Sequence, residues 1–387
     1  MAFGTNPSVT VDFSRATAMM RKAVIDKVFP GAVLLVSVGG RILYHQAFGK
    51  ANLISGQPVT PHTIFDLASL TKPLATVPAV MALVQEAKLN LEDRLGDVLP
   101  DFKPTDKAGI RIDQLLNHSS GLPAWRPYYE QLRTLPRQQR KTRLRQLLVS
   151  EKRIADIGVQ TVYSDLGFMI LCWIVEVLAG KPLPQFARAR VYEPLGLTGH
   201  DDCLLYFPVD SPAGSTVPAA TERCSWRNML LEGSVHDDNA FVLGGYDGHA
   251  GLFGNAAGVH TLVNCLRMAY AGEKADPDLF DRSIVRRFFS RPTGGRRWLG
   301  FDAPSPQRSA SGRHFSPNTV GHLGFTGTSF WMDLDRAIIV ILLSNRVHPS
   351  RKNEKIKCFR PAIHDTVMIA IQDGLLAESG QNPNASG

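Results

Sequence analysis

Strand-forming segments stand near both ends of the chain, and this separation constrains the fold more than any other feature of the sequence. Near the N-terminal end, GAVLLVSV and RILYHQAFG flank Gly39-Gly40, a pair typical of a two-residue β-hairpin turn. Near the C-terminal end, HLGFTGTSFWMD and AIIVILLSNR flank the turn Leu334-Asp335-Arg336 and predict a second strand pair. Sheet is therefore expected at both ends of the chain.

The middle of the chain, about residues 90 to 310, differs from its ends. Its clearest segments are typical of helices, and its connections are rich in Gly and Pro. We therefore expect an α/β (α+β) fold, in which an antiparallel sheet is flanked by helices. Residues 1–90 and 311–387 would form a discontinuous α/β domain, and residues 91–310 a mainly helical inserted domain. Helices are predicted within the α/β part from Leu74 to Leu89 and from about Pro361 to Asp373.

Hydropathy and cysteine usage limit where such a chain works. The longest apolar runs, Phe168 to Ala179 and Ala337 to Leu343, are shorter than the roughly 20 residues that cross a bilayer, so no membrane span is expected. The N-terminus lacks a basic start followed by an apolar core and a cleavage site. Together with five scattered cysteines, this predicts reduced thiols and a cytoplasmic location, or a periplasmic one if a signal has been trimmed away.

Cofactor and nucleic-acid binding have little support in the sequence. No paired C-x-x-C, no H-E-x-x-H and no glycine-rich phosphate loop occurs, so neither a metal nor any other cofactor is predicted. The net charge is +8, and basic residues are concentrated between Arg133 and Arg153. Leu144, Leu147 and Leu148 suit an amphipathic helix with a solvated basic face, which we favour over a nucleic-acid site; attraction to anionic substrates or membrane surfaces is the minor alternative.

One serine has a lysine three residues later: Ser69, with Lys72, in FDLASLTKPL. Residues three apart share a helix face, so the amine of Lys72 can reach the hydroxyl of Ser69. A lysine can take the proton of a serine nucleophile once burial or a nearby cation lowers its pKa. The alternative is ordinary, with Ser69 as a helix cap and Lys72 on the surface.

Two further segments carry residues suited to the same chemistry. Tyr163-Ser164-Asp165 precedes an apolar helix, so a phenol able to exchange protons can stand at a helix entry, with Ser164 or Asp165 as the cap. The segment from Gly321 to Gly327, GHLGFTG, opens the late strand pair, and its glycines let another backbone come close.

In their order and separation, S-L-T-K at Ser69–Lys72, Y-S-D at Tyr163–Asp165 and H-L-G at His322–Gly324 resemble the three motifs of the penicillin-recognising serine hydrolases. The resemblance is to the class C β-lactamase-like branch, with its esterases and D-amino-acid peptidases, and it spans roughly residues 30 to 365. Supporting stretches that resemble the same family are LLNHSSGLP, HDDNAFVLGG, GHAGLFG and LLSNRVHP.

The resemblance implies a β-lactamase/transpeptidase-like fold with the active site between the two domains, and an acyl-enzyme reaction without a cofactor. Ser69 would be the nucleophile, Lys72 its base, and Tyr163 the acid that protonates the leaving group and later helps to activate water. The backbone N–H groups of Ser69 and Phe325 would bind the oxyanion, with Gly324 completing the third motif. Asp165 and His322 would contact substrate, which would be a small-molecule ester, amide or β-lactam.

Two positions depart from the family pattern. Asp165 replaces the usual asparagine, and an ionised carboxylate can only accept; if it paired with Lys72 it would raise the pKa of the amine and oppose its role as a base. His322 replaces a fixed cation, so strong selection of carboxylated β-lactams is not expected. An esterase or small-amide hydrolase is therefore favoured. A catalytically silent binding protein that keeps the fold is the alternative.

The remaining polar and aromatic residues of the matching stretches are interpreted more conservatively. Three histidines and one aspartate are assigned to structural hydrogen-bond networks, namely His118, His236, Asp237 and His249. Three aromatic residues after LLNHSSGLP could form a substrate wall or pack in the core, namely Trp125, Tyr128 and Tyr129.

Overall fold

A five-stranded antiparallel sheet forms the centre of the computed structural model, which describes residues 11–199, 202–210, 217–275, 277–290, 298–305 and 307–378. The strands are β1 (Gly31–Val38), β2 (Arg41–Gly49), β3 (Phe65–Asp66), β4 (Leu205–Tyr206), β5 (Arg223–Cys224), β6 (Met229–Leu230), β7 (Phe253–Gly254), β8 (Thr319–Leu323), β9 (Ser329–Asp333) and β10 (Ile338–Ser344). The order across the central sheet is β2-β1-β10-β9-β8. Both predicted strand pairs are thus confirmed, and they share one sheet.

The pairing of β1 with β10 joins the two ends of the chain. These strands run antiparallel from Ala32 opposite Ser344 to Val38 opposite Ile338. Both are almost entirely buried, because helices cover both faces of the sheet. The β1–β2 hairpin turns at Gly39 (φ 57°) and Gly40 (φ 82°), a left-handed backbone that glycine adopts without strain.

α-Helices supply most of the remaining regular secondary structure of the described residues. They are α1 (Ser14–Ile25), α2 (Val77–Gln85), α3 (Leu95–Val98), α4 (Ile112–Leu116), α5 (Tyr128–Leu132), α6 (Arg137–Ser150), α7 (Asp165–Ala179), α8 (Leu183–Ala187), α9 (Asp238–Val242), α10 (Ala256–Ala271), α11 (Arg282–Phe288) and α12 (Ile356–Glu378). Alternate residues of β1 divide the core: Leu34 belongs to the cluster that includes α1 and α12, whereas Leu35 belongs to the larger cluster that includes α2, α7 and α10. The mixed antiparallel sheet and helix architecture is confirmed.

Both predicted helices of the α/β part differ from prediction at each end: α2 stops at Gln85 rather than Leu89, and the last helix continues to Glu378 rather than Asp373. The helix expected from Leu74 is preceded by a wider π-helical turn, Lys72–Thr76, and α2 begins at Val77. The last helix begins at Ile356 rather than Pro361, and Pro361 lies inside it. Ile356 and Phe359 are buried in the core cluster of α1 and α12, which explains why the helix starts before the proline.

Several smaller expectations can be compared with the structure. The basic segment forms α6 with Leu144 and Leu148 buried, as predicted. The five cysteines, all within the described ranges, form no disulfide. Among the described residues no single helix is long and apolar enough to cross a membrane; only the bent pair Asp165–Ala179 and Leu183–Tyr192 reaches that length and composition. The two-domain division stays a prediction, and its residues 1–10 and 379–387 lie outside the described residues.

A small three-stranded sheet, in the order β3-β7-β4, positions the candidate nucleophile. Phe65 pairs with Gly254 and Asp66 with Phe253, so the GHAGLFG stretch lies beside the segment that leads into Ser69. The buried Leu67 N–H continues this contact by donating to Leu252 O at 2.9 Å.

Asn345, just after β10, ties the sheet to two other segments. Its side chain accepts from Gly31 N–H at 3.0 Å and donates to Ala51 O at 2.9 Å and Ala220 O at 3.1 Å. The residue is 1% exposed, so water cannot replace these bonds if the side chain is removed.

Asn345→Ala is expected to lower the free energy of unfolding by about 3 kcal/mol, because three buried backbone groups lose their partner. Urea denaturation followed by circular dichroism measures the change. Asn90→Ala is the matched control, since Asn90 is exposed and its side chain makes no hydrogen bond to the described residues. Equal stability of the two variants would contradict the assignment of Asn345.

Candidate active site

Ser69 lies in a short 3-10 turn, Ala68–Leu70, between β3 and the π-helical turn. Ala68, immediately before it, has φ 49°, a left-handed conformation that is uncommon for a residue with a Cβ and that frequently marks functional sites. The buried Asp66 carboxylate stabilises this turn by accepting from Ala68 N–H at 2.8 Å and His236 N–H at 2.7 Å. The Thr71 hydroxyl donates to Ala68 O at 2.6 Å. The surrounding hydrogen bonds therefore fix the backbone that presents Ser69.

Lys72 is adjacent to Ser69, as the spacing predicted. Its Nζ donates to Ser69 Oγ at 3.1 Å and to His249 O at 3.1 Å. The side chain of Lys72 is fully buried, so it is not the surface lysine of the alternative interpretation. An amine at this distance is within reach of the hydroxyl proton.

Asp165 forms an ion pair with Lys72, with 2.7 Å between Asp165 Oδ1 and Lys72 Nζ. Burial alone would lower the pKa of Lys72, but the Asp165 carboxylate and the Tyr163 hydroxyl outweigh it, so the pKa of the lysine is raised. Burial therefore does not lower the pKa of Lys72 below its ordinary value in this arrangement. The departure at Asp165 has the effect anticipated from the sequence for a pairing with Lys72: it raises the pKa of the amine.

Tyr163 stands on the other side of Lys72, with Lys72 Nζ 4.8 Å from the centre of its ring. Burial raises the pKa of the Tyr163 hydroxyl, against the opposing influence of the Lys72 charge and of hydrogen bonding to Lys72 and Ser69. The three side chains Ser69, Lys72 and Tyr163 thus form one cluster. It contains the nucleophile, amine and phenol that an acyl-transfer site needs.

Ser164 and His118 set the position of Tyr163. The Ser164 hydroxyl donates to Pro123 O at 2.6 Å and accepts from Gly167 N–H at 3.3 Å, so Ser164 rather than Asp165 caps α7. Ser164 N–H donates to His118 Nδ1 at 3.0 Å, and the His118 ring packs against Tyr163 with centroids 4.6 Å apart. His118 is therefore part of a buried loop network, as interpreted from the sequence.

The turn that follows β8, Gly324–Thr328, approaches the serine segment directly. Thr326 Oγ1 donates to Asp66 O at 2.7 Å, and Thr328 Oγ1 donates to Leu67 O at 3.1 Å. A Cβ on Gly324 would lie 2.0 Å from Thr328 Oγ1 and 2.6 Å from Leu67 O, so this approach requires glycine. The third motif therefore lies next to the first.

Phe325 and His322 differ in exposure. Phe325 is 50% exposed, its ring stacks on His236 at 5.6 Å between centroids, and among the described residues no acceptor is found for its backbone N–H. His322 is only 2% exposed, its Nδ1 lies 2.9 Å from Leu323 O, and its ring packs 5.9 Å from that of Tyr163. The His322 ring is therefore buried against Tyr163, and its contact with substrate stays a prediction.

Asp237, which is partly exposed, and the buried His249 form a second pair next to Lys72. His249 Nε2 lies 3.0 Å from Asp237 Oδ1, and Asp237 Oδ1 also accepts from Ala240 N–H at 2.8 Å, which caps α9. Burial would lower the pKa of His249, but Asp237 outweighs it and the pKa is raised; the His249 charge in turn lowers the pKa of Asp237 against burial. These residues support the carbonyl that binds Lys72, in keeping with their structural interpretation.

The three aromatic residues after LLNHSSGLP have different surroundings. Trp125 is 44% exposed, and the carbonyl of Ala124 before it accepts from Asp165 N–H. Trp125 therefore lies at the surface near the Ser69–Lys72–Tyr163 cluster. Tyr128 is buried and donates to Glu151 at 2.7 Å, which makes it a packing residue rather than a wall. Tyr129 packs on Trp226 with ring centroids 5.4 Å apart.

Sequence reasoning missed the residues that connect the motifs. Asp66, Thr71, Thr326 and Thr328 join the serine segment to its neighbours through the bonds above. Two arginines, Arg346 and Arg360, bind the carbonyls of the Gly324–Thr328 turn. The threonines of GFTGTS were a signal for a polar turn, but their partners are distant in the chain.

Comparison with known proteins relates this site to a family. A family model described as Beta-lactamase matches residues 16–357. A putative D-alanyl-D-alanine carboxypeptidase of Escherichia coli K12 is 32% identical over 351 residues, covering 84% of this chain and 80% of that protein. An N-acetylmuramyl-L-alanine amidase of Bacillus subtilis 168 is 34% identical over 351 residues, covering 83% and 78%.

Solved structures agree at the level of the fold. EstCE1, described as a hydrolase with promiscuous acyltransferase activity, superposes with a TM-score of 0.67 at 22% identity, covering 90% of this chain and 97% of that one. A class C β-lactamase from Rhodobacter sphaeroides superposes with a TM-score of 0.66 at 18% identity, covering 90% and 99%. With its motifs assembled in one cluster and its length matched by the family model, the chain belongs to the beta-lactamase family of serine hydrolases.

Proposed function

We propose that the protein hydrolyses a small ester or amide through a covalent acyl-enzyme on Ser69. One observation carries the proposal: Ser69 Oγ lies 3.1 Å from the amine of a fully buried lysine, in a cluster completed by Tyr163. Burying the ammonium group of a lysine costs free energy unless several partners compensate its charge. A catalytic role would account for keeping a lysine at this buried position.

In this mechanism the Ser69 oxygen attacks the substrate carbonyl carbon, and its proton passes to the neutral form of Lys72. The carbonyl oxygen becomes an oxyanion, which the backbone N–H groups of Ser69 and Phe325 bind. Tyr163 gives a proton to the leaving alcohol or amine as its bond to carbon breaks. Water then attacks the acyl carbon and gives a proton to the Tyr163 phenolate. The bond between that carbon and Ser69 Oγ breaks as the Lys72 ammonium returns its proton to the oxygen, which releases the acid and restores all three side chains.

The names of relatives and the burial of His322 support the choice of substrate class. Relatives carry the names carboxypeptidase and amidase, and one structural neighbour is an acyltransferase-active hydrolase. His322 is buried and so provides no exposed cation for a substrate carboxylate. An uncharged ester or small amide is therefore favoured over a carboxylated β-lactam, within the class C-like branch proposed for this chain.

Labelling of the nucleophile tests the assignment. Wild type incubated with a fluorophosphonate is expected to gain the mass of one phosphonyl adduct, and to turn over a chromogenic short-chain ester faster than a cephalosporin. Ser69→Ala should lose both the adduct and the turnover. Ser283→Ala, which removes an exposed helix serine, should behave as wild type.

The silent-binder alternative predicts a different result. A folded wild type that takes no label and turns over no ester, D-amino-acid amide or β-lactam would support that alternative and overturn the hydrolase proposal. An adduct that persists in Ser69→Ala would move the nucleophile to another residue.

The pH profile tests the role of Asp165. Since the pKa of Lys72 is raised, its neutral form appears only as the pH rises toward that pKa, and kcat/KM for a neutral ester should climb through the alkaline range. Asp165→Asn removes the negative charge that raises the pKa of Lys72, so the climb should move to lower pH. The measurement is kcat/KM against pH, corrected for spontaneous ester hydrolysis.

Asp156→Asn is the control, since it makes the same charge change on a carboxylate whose side chain is 88% exposed. It should leave the profile in place. An unshifted climb in an active Asp165→Asn enzyme would mean that a group other than Lys72 is the titrating base.

A further inference from the structure

Two buried arginines bind the turn that carries the predicted oxyanion donor of Phe325. Arg360, on α12, donates from Nη2 to Gly324 O and to Thr328 O, both at 2.8 Å. Arg346, just after β10, donates from Nε to Phe325 O at 2.8 Å. The two residues are 7% and 5% exposed. Both carbonyls that flank the Phe325 N–H along the chain are therefore bonded to a guanidinium.

Among the residues that the structure describes, Arg360 lacks the carboxylate partner that buried arginines usually have, whereas Arg346 interacts with the Glu354 carboxylate from beyond salt-bridge distance. Within the described ranges neither lies within salt-bridge distance of a carboxylate, and the buried Nε of Arg360 has no hydrogen-bond acceptor. By contrast, Arg267 pairs with Glu273 at 2.7 Å and Arg227 pairs with Asp238 at 2.7 Å. Burial lowers the pKa of Arg360 to about 9, which leaves it charged at neutral pH. Burying a cation without a counter-charge costs free energy, so the presence of Arg360 at this position suggests a functional role.

The contact between Arg360 and Gly324 O indicates what this role is. Gly324 O and the Phe325 N–H belong to the same peptide group, whose electrons are delocalised over O, C and N. A cation at the oxygen draws electron density toward that oxygen and leaves the N–H more positive, so it donates a stronger hydrogen bond. Gly327 N–H donates to the same oxygen at 3.1 Å and adds to this polarisation.

The other predicted oxyanion donor has a neutral version of the same arrangement. Its peptide joins Ala68 to Ser69, and Ala68 O accepts from the hydroxyl and the N–H of Thr71. The charged version occurs at the donor of Phe325, the half-exposed residue of an otherwise buried turn, where nearby solvent would otherwise weaken the donor. The two arginines also fix this turn against the sheet and α12.

We propose that Arg360, supported by Arg346, is a positioning residue of the oxyanion site, which holds and polarises the Gly324–Phe325 peptide so that its N–H receives the charge of the tetrahedral intermediate. This inference rests on the proposed function, because it needs an acyl-transfer reaction at Ser69. Neither arginine contacts the reacting atoms; both act through the backbone.

Three substitutions separate charge from packing. Arg360→Gln keeps a hydrogen-bond donor without the charge, Arg360→Lys keeps the charge, and Arg267→Gln removes a buried guanidinium away from the turn. In Arg360→Gln, kcat for a short-chain ester should fall about tenfold with KM nearly unchanged, less than the roughly 10² to 10³-fold cost of losing a whole oxyanion donor. Arg360→Lys should recover most of this loss, and Arg267→Gln should match wild type.

Infrared difference spectroscopy of an isotopically labelled acyl-enzyme gives an independent readout. A weaker donor polarises the ester carbonyl less, so its stretching frequency should rise in Arg360→Gln and return toward wild type in Arg360→Lys. Arg346→Gln provides a second route should Arg360→Gln fail to fold; it should shift the frequency in the same direction by a smaller amount.

The outcomes distinguish the two proposals. Wild type without label or turnover would overturn the hydrolase assignment itself. An active wild type with unchanged kcat and carbonyl frequency in Arg360→Gln and Arg346→Gln would overturn only the role of the arginines. Equal losses in Arg360→Gln and Arg360→Lys, with an unshifted carbonyl frequency, would likewise overturn it by reducing the contact to packing.

Discussion

The site depends on one physical fact, an ammonium group with no access to solvent. Lys72 can be buried only because separate parts of the chain each supply one compensating group: Asp165 a carboxylate, Tyr163 a phenol, His249 a carbonyl and Ser69 a hydroxyl. Interior charges are tolerated when such partners surround them. The requirement to satisfy this one amine therefore specifies how α7, the GHAGLFG stretch and the serine turn must meet.

Strand pairing and side-chain hydrogen bonds position the segments around that amine in different ways. The β1–β10 pairing brings both ends of the chain into one sheet, and the third motif begins on its edge strand β8. The threonine hydroxyls of the Gly324–Thr328 turn then determine the distance between this motif and the first, since they bond to the backbone of β3 and Leu67. Sheet pairing sets the neighbourhood, and a few side-chain bonds set the geometry.

Local patterns in the sequence were enough for the parts of this arrangement that are themselves local. The glycine pair at Gly39-Gly40, the apolar run of α7 and the Ser69–Lys72 spacing each depend on neighbours in the chain, and each predicted its local structure correctly. The burial of His322 and the arginine contacts to the late turn could not be found in this way, because they depend on which segments pack on which. The direction in which the pKa of Lys72 shifts could not be predicted locally either, because it depends on whether the Asp165 carboxylate points toward the amine.

Assigning a chemical task to the main chain has a consequence at Phe325. Its amide belongs to the turn, whereas its half-exposed ring extends outward against His236 and Arg346. A peptide N–H is present whatever side chain its residue bears, proline excepted, so evolution or a designer can alter the surface offered to the acyl group at this position while the donor persists. Substitution of Phe325 can then change which acyl groups the enzyme accepts without removing the N–H that supports the reaction rate. Related enzymes can therefore differ in substrate selectivity while they keep the same catalytic groups.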